Sequence, residues 1–283
     1  MSVAFVTGTS TGIGQATAMR LARDGHRVVA TMRNPDAGAP LVEAREAEGL
    51  SIDVVALDVN DPAACERVVA DNGPIDVLVN NAGIGGLTAV EDASDDEWLE
   101  MLSTNVIAPM RLCRLVLPGM RERRAGTIVN VTSVAGRMPV APQAPYAASK
   151  HALEGASEAL AQEVAQFGIR VVIIEPGVIL TPIFFKGDDS GRADSPYAAV
   201  YERATRMFTG LLANPSPPEL VADTISESIT TNEPVLRYPV GPDAHKLFAG
   251  RAAISDEEYV DLGRVASDDE FAERFKALFD LEI

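Results

Sequence analysis

Val3-Ala4-Phe5-Val6-Thr7-Gly8-Thr9-Ser10-Thr11-Gly12-Ile13-Gly14-Gln15-Ala16-Thr17-Ala18-Met19 decides how the rest of the chain is read. A short apolar run ends in a glycine-rich turn, and the turn opens into residues of helical periodicity. Gly8 permits a tight turn, Gly12 lets the backbone approach an anion, and Gly14 lets the helix pack closely on the strand. The helix start directs N–H donors and positive potential into that turn. Gly8, Ser10, Thr11, Gly12, Ile13 and Gly14 therefore form a candidate pyrophosphate-binding set. The spacing is G-x-x-x-G-x-G rather than the general G-x-G-x-x-G, and a glycine cluster alone also reads as a plain turn. The strand before it and the helix after it favour the dinucleotide reading.

Outward from this unit, Val- and Ile-rich runs recur at Val3–Val6, Arg27–Thr31, Ile52–Leu57, Val77–Val79, Thr127–Val131, Arg170–Ile174 and Val235–Tyr238. Helical periodicity fills the intervals near Ile13–Arg23, Pro62–Ala70, Asp95–Arg121, Tyr146–Gln166 and Pro218–Thr230. This alternation predicts an α/β, doubly wound Rossmann-type fold, with a seven-stranded parallel sheet flanked by helices on both faces. No composition shift marks a second domain, so residues 1–283 read as one. Residues from about 181 to 210 lapse into a Gly-, Asp- and Pro-containing stretch that carries Phe184, Phe185, Tyr197, Met207 and Phe208, the pattern of a lid over an apolar substrate. The acidic tail, about 242–283, reads as helical around Asp256–Leu262 and Asp268–Leu278.

The bulk properties exclude several classes. The net charge of -17, from 24 Lys and Arg against 41 Asp and Glu, leaves no basic stripe to track nucleic acid. Cys65 and Cys113 lack C-x-x-C spacing, and His26, His151 and His245 show no ligand pattern, so neither a disulfide scaffold nor a metal site is expected. No secretory leader or membrane-length apolar run is evident, and the expected location is the cytoplasm.

The residues after the second run stand where an adenosine ribose is met. They are Met32 and Arg33, with no carboxylate, so NADP(H) is expected over NAD(H), NAD(H) remaining possible; a solvated surface arginine is the plainer alternative. Asp58-Val59 ends the third run and reads either as an adenine contact or as an ordinary strand end. Further on, Tyr146 and Lys150 lie one helical turn apart. A phenol with an ordinary pKa of about 10 is a poor acid/base near neutrality, and the ammonium is expected to lower it. The stripe Leu153, Ala156, Leu160, Val164 and Phe167 places both on a more polar edge of their helix; a surface pair is the alternative. Ser133 follows the fifth run, at the end of the sheet where α/β sites gather. It is expected either to hold a substrate oxygen or to bind its own backbone. Asn105 is a poor helix former inside a predicted helix, expected to kink it and hold a water near Lys150.

Together these residues resemble the short-chain dehydrogenase/reductase family, over Val3 to roughly Thr181. The match comprises T-G-x-x-x-G-x-G at Thr7–Gly14, Asp58-Val59, Asn80-Asn81-Ala82-Gly83, Asn105, Ser133, Tyr146 with Lys150, and Pro176-Gly177 followed by Thr181. The resemblance implies that Asn105, Ser133, Tyr146 and Lys150 form a catalytic tetrad. It also implies that Asn81, Ala82 and Gly83 line the cofactor, with Pro176, Gly177 and Thr181 beside the nicotinamide and Tyr146 and Lys150 also touching it. Val28–Pro35 and Ile174–Gly177 look most like the 17β-hydroxysteroid-dehydrogenase-like branch. The implied activity interconverts an alcohol and a ketone or aldehyde on a small molecule, in a homodimer or homotetramer packed through the helices after Asp95 and Tyr146. The rival readings are a non-catalytic NADPH-binding sensor and an enoyl reductase or epimerase on the same scaffold.

Overall fold

The computed structural model describes residues 1–181 and 194–283. Its seven strands are β1 (Val3–Thr7), β2 (Arg27–Met32), β3 (Ile52–Ala56), β4 (Val77–Asn80), β5 (Gly126–Val131), β6 (Ile169–Pro176) and β7 (Arg237–Val240). All pair in parallel, in the order β3-β2-β1-β4-β5-β6-β7. The order reverses between β1 and β4, which is where an open α/β sheet leaves a crevice at its carboxyl ends.

The pleat divides the core into two faces. Ala4, Val6, Val28 and Ala30 point to one, where they pack with Leu21 of α1 (Gly12–Arg23), Leu41 of α2 (Ala39–Glu48), and Val221 and Ile225 of α8 (Pro218–Thr230). Phe5, Val29, Leu78 and Ile128 point to the other. There they meet Cys65 of α3 (Pro62–Asn72), Leu112 of α5 (Ala108–Arg123), and Leu160 and Val164 of α6 (Ala144–Ala165). Burial on both faces accounts for the unbroken Val and Ile runs. A third cluster joins Met138, Met207, Leu247, Leu262, Phe275 and Phe279. It ties α7 (Ala198–Leu211), α9 (Pro242–Ala252) and α11 (Asp268–Phe279), with the short α10 (Asp256–Asp261) between the last two, to the loop after β5. Among the described residues no helix is long and apolar enough to cross a membrane.

Several expectations are corrected. The predicted helix Asp95–Arg121 is α4 (Asp95–Leu102), a π-helical turn (Ser103–Ile107) and α5, which runs to Arg123. β7 starts two residues later than Val235, because its ladder to β6 pairs Ile173 with Arg237 and Pro176 with Val240. Pro239 is tolerated inside it because β7 is an edge strand. Helices α2, α7 and α9 were not expected: α2 and α9 each have proline in the first turn, which suits a helix start. Helix α7 occupies part of the stretch read as irregular, while Phe184 and Phe185 lie outside the described residues.

Candidate active site

The glycine-rich turn is locked to the opposite side of the sheet crevice. Thr7 Oγ1 donates to Val79 O at 3.3 Å and accepts the N–H groups of Asn81 and Ala82, each at 3.0 Å. Asn81 Nδ2 donates back to Thr7 O at 2.9 Å and Gly8 O at 3.2 Å. Gly8 has φ +71° and Gly12 φ +59°, conformations that disfavour a side chain. Gly14 is needed for space: a Cβ there would lie 2.3 Å from Gly8 O and 2.4 Å from Asn81 Nδ2. Its close contact is thus with the turn and Asn81 rather than with the body of the strand. Thr11, the residue preceding α1, makes no side-chain cap, and the first turn of α1 carries no acidic residue. The backbone donors of Gly12, Ile13 and Gly14 are accordingly left for an anion, with Ser10 beside them.

Arg33, immediately after β2, is exposed, and no acidic partner engages it among the described residues. Asp58 is exposed after β3, and one carboxylate oxygen accepts Asn60 N–H at 2.9 Å in a local turn. The Val59 carbonyl is taken by Arg111 Nη1 at 2.6 Å. After β6, Gly177 N–H donates to Val240 O, and a Cβ on Gly177 would lie 2.2 Å from the Asp243 carboxylate. Asp243 holds that segment by accepting Val178 N–H at 2.6 Å. Thr181 is half-buried, next to the undescribed stretch.

The four tetrad candidates converge where β4 and β5 end. Asn105 sits in the π-helical turn, at the position where a kink was expected. Its Nδ2 donates to Ile84 O and Ser149 Oγ, both at 2.9 Å, and its Oδ1 accepts Ile84 N–H at 2.9 Å. Ser149 Oγ in turn donates to Tyr146 O at 2.7 Å. Gly83 borders this cluster, since a Cβ there would lie 3.1 Å from Asn105 Oδ1 and 3.8 Å from Lys150 Nζ. Of the two roles weighed for Ser133, the backbone one is present: its oxygen accepts Ala135 N–H at 3.1 Å, while its hydroxyl donates toward the Tyr146 phenol.

Lys150 is buried, with 6% of its surface exposed, not on a polar edge. Its Nζ donates to Val131 O at 3.0 Å and lies 5.7 Å from the Tyr146 ring centroid. Burial lowers its pKa to about 8 against the opposing pull of Glu154. Tyr146 moves the other way from the expectation. Desolvation pushes its phenol above the ordinary value, outweighing the Ser133 hydrogen bond. The i,i+4 spacing reported the proximity of the cation correctly but carried no information about desolvation of both groups.

Three residues around the site were not singled out in advance. Thr7 and Ser149 are ordinary in sequence and acquire roles only through contacts across the sheet. Glu154 was recognisable in principle, because it interrupts the buried side of α6 one turn after Lys150. Its carboxylate accepts the Thr132 hydroxyl at 2.6 Å and Arg237 Nε at 3.0 Å.

Comparison with known proteins identifies the family of this chain. The family model described as short chain dehydrogenase matches residues 2–189. A 3-ketodihydrosphingosine reductase of Bacteroides thetaiotaomicron is 34% identical over 249 residues, covering 87% of this chain and 90% of that protein. A short-chain dehydrogenase structure from Streptomyces avermitilis is 35% identical with a TM-score of 0.80, covering 93% of this chain and 98% of the other. An actinorhodin polyketide ketoreductase variant solved with NADPH is 34% identical with a TM-score of 0.73, covering 84% of this chain and 95% of the other.

Proposed function

Because this chain belongs to the short-chain dehydrogenase family, we propose that it is an NADP(H)-dependent oxidoreductase interconverting an alcohol and a ketone or aldehyde, with Tyr146 as general acid/base. The observation that carries the reading is the joined set of a Ser133 hydroxyl on the Tyr146 phenol and a buried Lys150 ammonium beside the same ring.

The chain fits the nucleotide it requires. Uncapped donors at Gly12, Ile13 and Gly14 suit a pyrophosphate, Arg33 is available for a 2'-phosphate, and the NADPH-bound ketoreductase relative supports the same preference. Asp58, Val59, Asn81, Ala82, Gly83, Pro176, Gly177 and Thr181 are assigned to the rest of the cofactor surface. Lys150 spends one donor on Val131 O, leaving two for the nucleotide. When bound, the nicotinamide supplies or accepts the hydride.

In reduction, Ser133 and Tyr146 hold the carbonyl oxygen and Tyr146 delivers the proton, while the Lys150 charge stabilises the phenolate left behind. Asn105 fixes Ser149 and, through it, the first turn of α6 that presents Tyr146. The substrate is assigned as apolar, because the loop after β5 packs into the Met- and Phe-rich cluster of α7, α9 and α11. We also infer a homodimer or homotetramer through α5 and α6, between which runs a groove of about 580 Å³ lined by Met110, Leu117, Ala156 and Ala159 and by the charged Arg114, Arg121 and Glu163; light scattering tests it.

The direct test follows NADPH absorbance with a panel of ketones. Tyr146→Phe is expected to lose about 10²- to 10⁴-fold in turnover while retaining NADPH binding. Unchanged turnover removes Tyr146 from the chemistry. Wild-type binding without turnover of any ketone or alcohol would favour a sensor.

A further inference from the structure

Behind the tetrad lies an ionic cluster that the proposed chemistry does not use, its carboxylates Glu154 and Glu175 buried and its Arg137, Arg237 and Glu158 reaching solvent. Glu175 on β6 is fully buried, and Glu154 on α6 is 5% exposed. Arg237 on β7 donates to Glu154 at 3.0 Å and to Glu158 at 2.9 Å, and lies 3.9 Å from Glu175. Arg137, after β5, pairs with Glu175 at 3.3 Å. Three carboxylates thus face two guanidinium groups, and the third cation of the set is Lys150. The short turn after Ser133 packs closely on the Glu154 end of the cluster, since a Cβ on Gly136 would lie 3.0 Å from Glu154 Cγ and 3.2 Å from Lys150 O.

Glu154 touches both halves of the site. Its Oε1 accepts the hydroxyl of Thr132, the residue before Ser133, at 2.6 Å, a single proton for which Ile174 O at 2.9 Å is the longer-range competitor. It also stands one helical turn from Lys150, on the same buried side of α6. We propose that Glu154 is a positioning residue for the reaction: it anchors the strand end that carries Ser133 and sets the electrostatic potential at Lys150. The proposal rests on the oxidoreductase reading above and concerns how its proton-transfer groups are tuned.

In a desolvated site a nearby carboxylate acts strongly on an ammonium. Glu154 opposes the burial that already lowers Lys150 to about 8, and its loss removes that opposition. The other ionisable groups facing this turn are Tyr146 and Glu158 on α6, Glu175 on β6, Arg137 after β5 and Arg237 on β7. The π-helical turn contributes only the neutral Asn105, and the acidic residues of α4, Asp95, Asp96, Glu97 and Glu100, are exposed. The competing role for Glu154 is purely structural, a tie between α6 and β7 through Arg237.

Opposite charge changes separate the two. Glu154→Gln keeps the shape and an acceptor for Thr132 but removes negative charge, so Lys150 should release its proton at lower pH. Arg237→Gln removes positive charge beside Glu154, so Lys150 should hold its proton to higher pH. Glu154→Asp should restore the wild-type midpoint in large part. The chain contains only Lys150, Lys186, Lys246 and Lys276, so ¹³Cε-lysine NMR of the nucleotide-free protein can follow each, with Lys150 assigned by its loss in Lys150→Arg. The alkaline limb of kcat/KM for ketone reduction should move in the same two directions. Lower melting temperatures in both variants with an unmoved Lys150 midpoint, or shifts of the same sign, overturn the proposal. Should Glu154→Gln fail to fold, Arg237→Gln and Glu154→Asp still decide. Shifts as expected in a protein that turns over no ketone or alcohol would defeat the proposed function and leave this electrostatic coupling standing.

Discussion

Gly14→Ala tests the link between the turn and the sheet most directly. A Cβ needs about 3.4 Å from its neighbours, whereas here it would sit 2.3 Å from Gly8 O and 2.4 Å from Asn81 Nδ2. Neither obstacle is a flexible side-chain end. Gly8 O belongs to the backbone, and Asn81 Nδ2 is held by Thr7 O and Gly8 O at 2.9 and 3.2 Å. Gly8 O is cleared only if α1 retreats by about an ångström, and the same retreat or a swing of Asn81 strains the two hydrogen bonds that Asn81 makes. With overpacking at about 1–3 kcal/mol and about 1 kcal/mol for each bond strained, the cost is about 2–3 kcal/mol. In a chain of this length that lowers the melting temperature by roughly 4–12 °C. NADPH affinity should fall with it, because the same shift moves the donors at the start of α1. Gly155→Ala is the matched control: Gly155 is exposed in α6, nothing lies within 4 Å of its Cβ position, and the substitution should stabilise by about 0.5–1 kcal/mol. Differential scanning fluorimetry with and without NADPH reads both. A Gly14→Ala protein that melts and binds like wild type would refute the packing argument.

Arg33→Ala should weaken NADPH binding by about 10-fold or more and leave NADH unchanged, since one exposed charge-assisted contact to phosphate is lost; titration calorimetry with both nucleotides checks it, and equal losses would place Arg33 outside the 2'-phosphate site. Lys150 is charged below about pH 8 and Tyr146 stays protonated beyond its ordinary range. The kcat/KM for ketone reduction should therefore be level at lower pH and fall above about 8, and a rise through that region in a stopped-flow pH series would contradict the assignment. Phe279→Ala opens a cavity where the ring is 1% exposed and packs 4.7 Å from the Phe275 ring centroid. It should cost about 3–5 kcal/mol by denaturant titration and raise KM for bulky apolar ketones, because the same cluster braces Met138 after Ser133.

The sheet was legible because burial on both faces writes itself into sequence. Val28, Val29 and Ala30 face alternate clusters, yet all are apolar, and each such run is followed by a helix long enough to cross back. What escaped were elements specified by partners distant in sequence. Helix α7 is amphipathic, but its buried Tyr201 and Met207 find their partners in the loop holding Ala89 and in the C-terminal cluster. The division of α4 from α5 was foreseen only as a kink. The π turn depends on Asn105 reaching Ile84 and Ser149, contacts 21 and 44 residues away.

Spacing located the site better than it described its electrostatics. One helical turn between Tyr146 and Lys150 guarantees proximity, and proximity alone argues for an acidified phenol. Folding adds a term that spacing does not carry: α6 lays the polar residues Ser149, Lys150, Glu154 and Ser157 against the sheet, with its Leu and Val. Desolvation then drives phenol and ammonium toward neutrality together, Tyr146 upward and Lys150 down to about 8. A phenol is protonated at neutral pH in any case, and this environment keeps Tyr146 so to higher pH than usual. Deprotonating that phenol for the reverse oxidation requires positive charge beside it. Within the neighbouring cluster it is Glu154 whose negative charge opposes the desolvation of Lys150, while the guanidinium groups of Arg137 and Arg237 work against it.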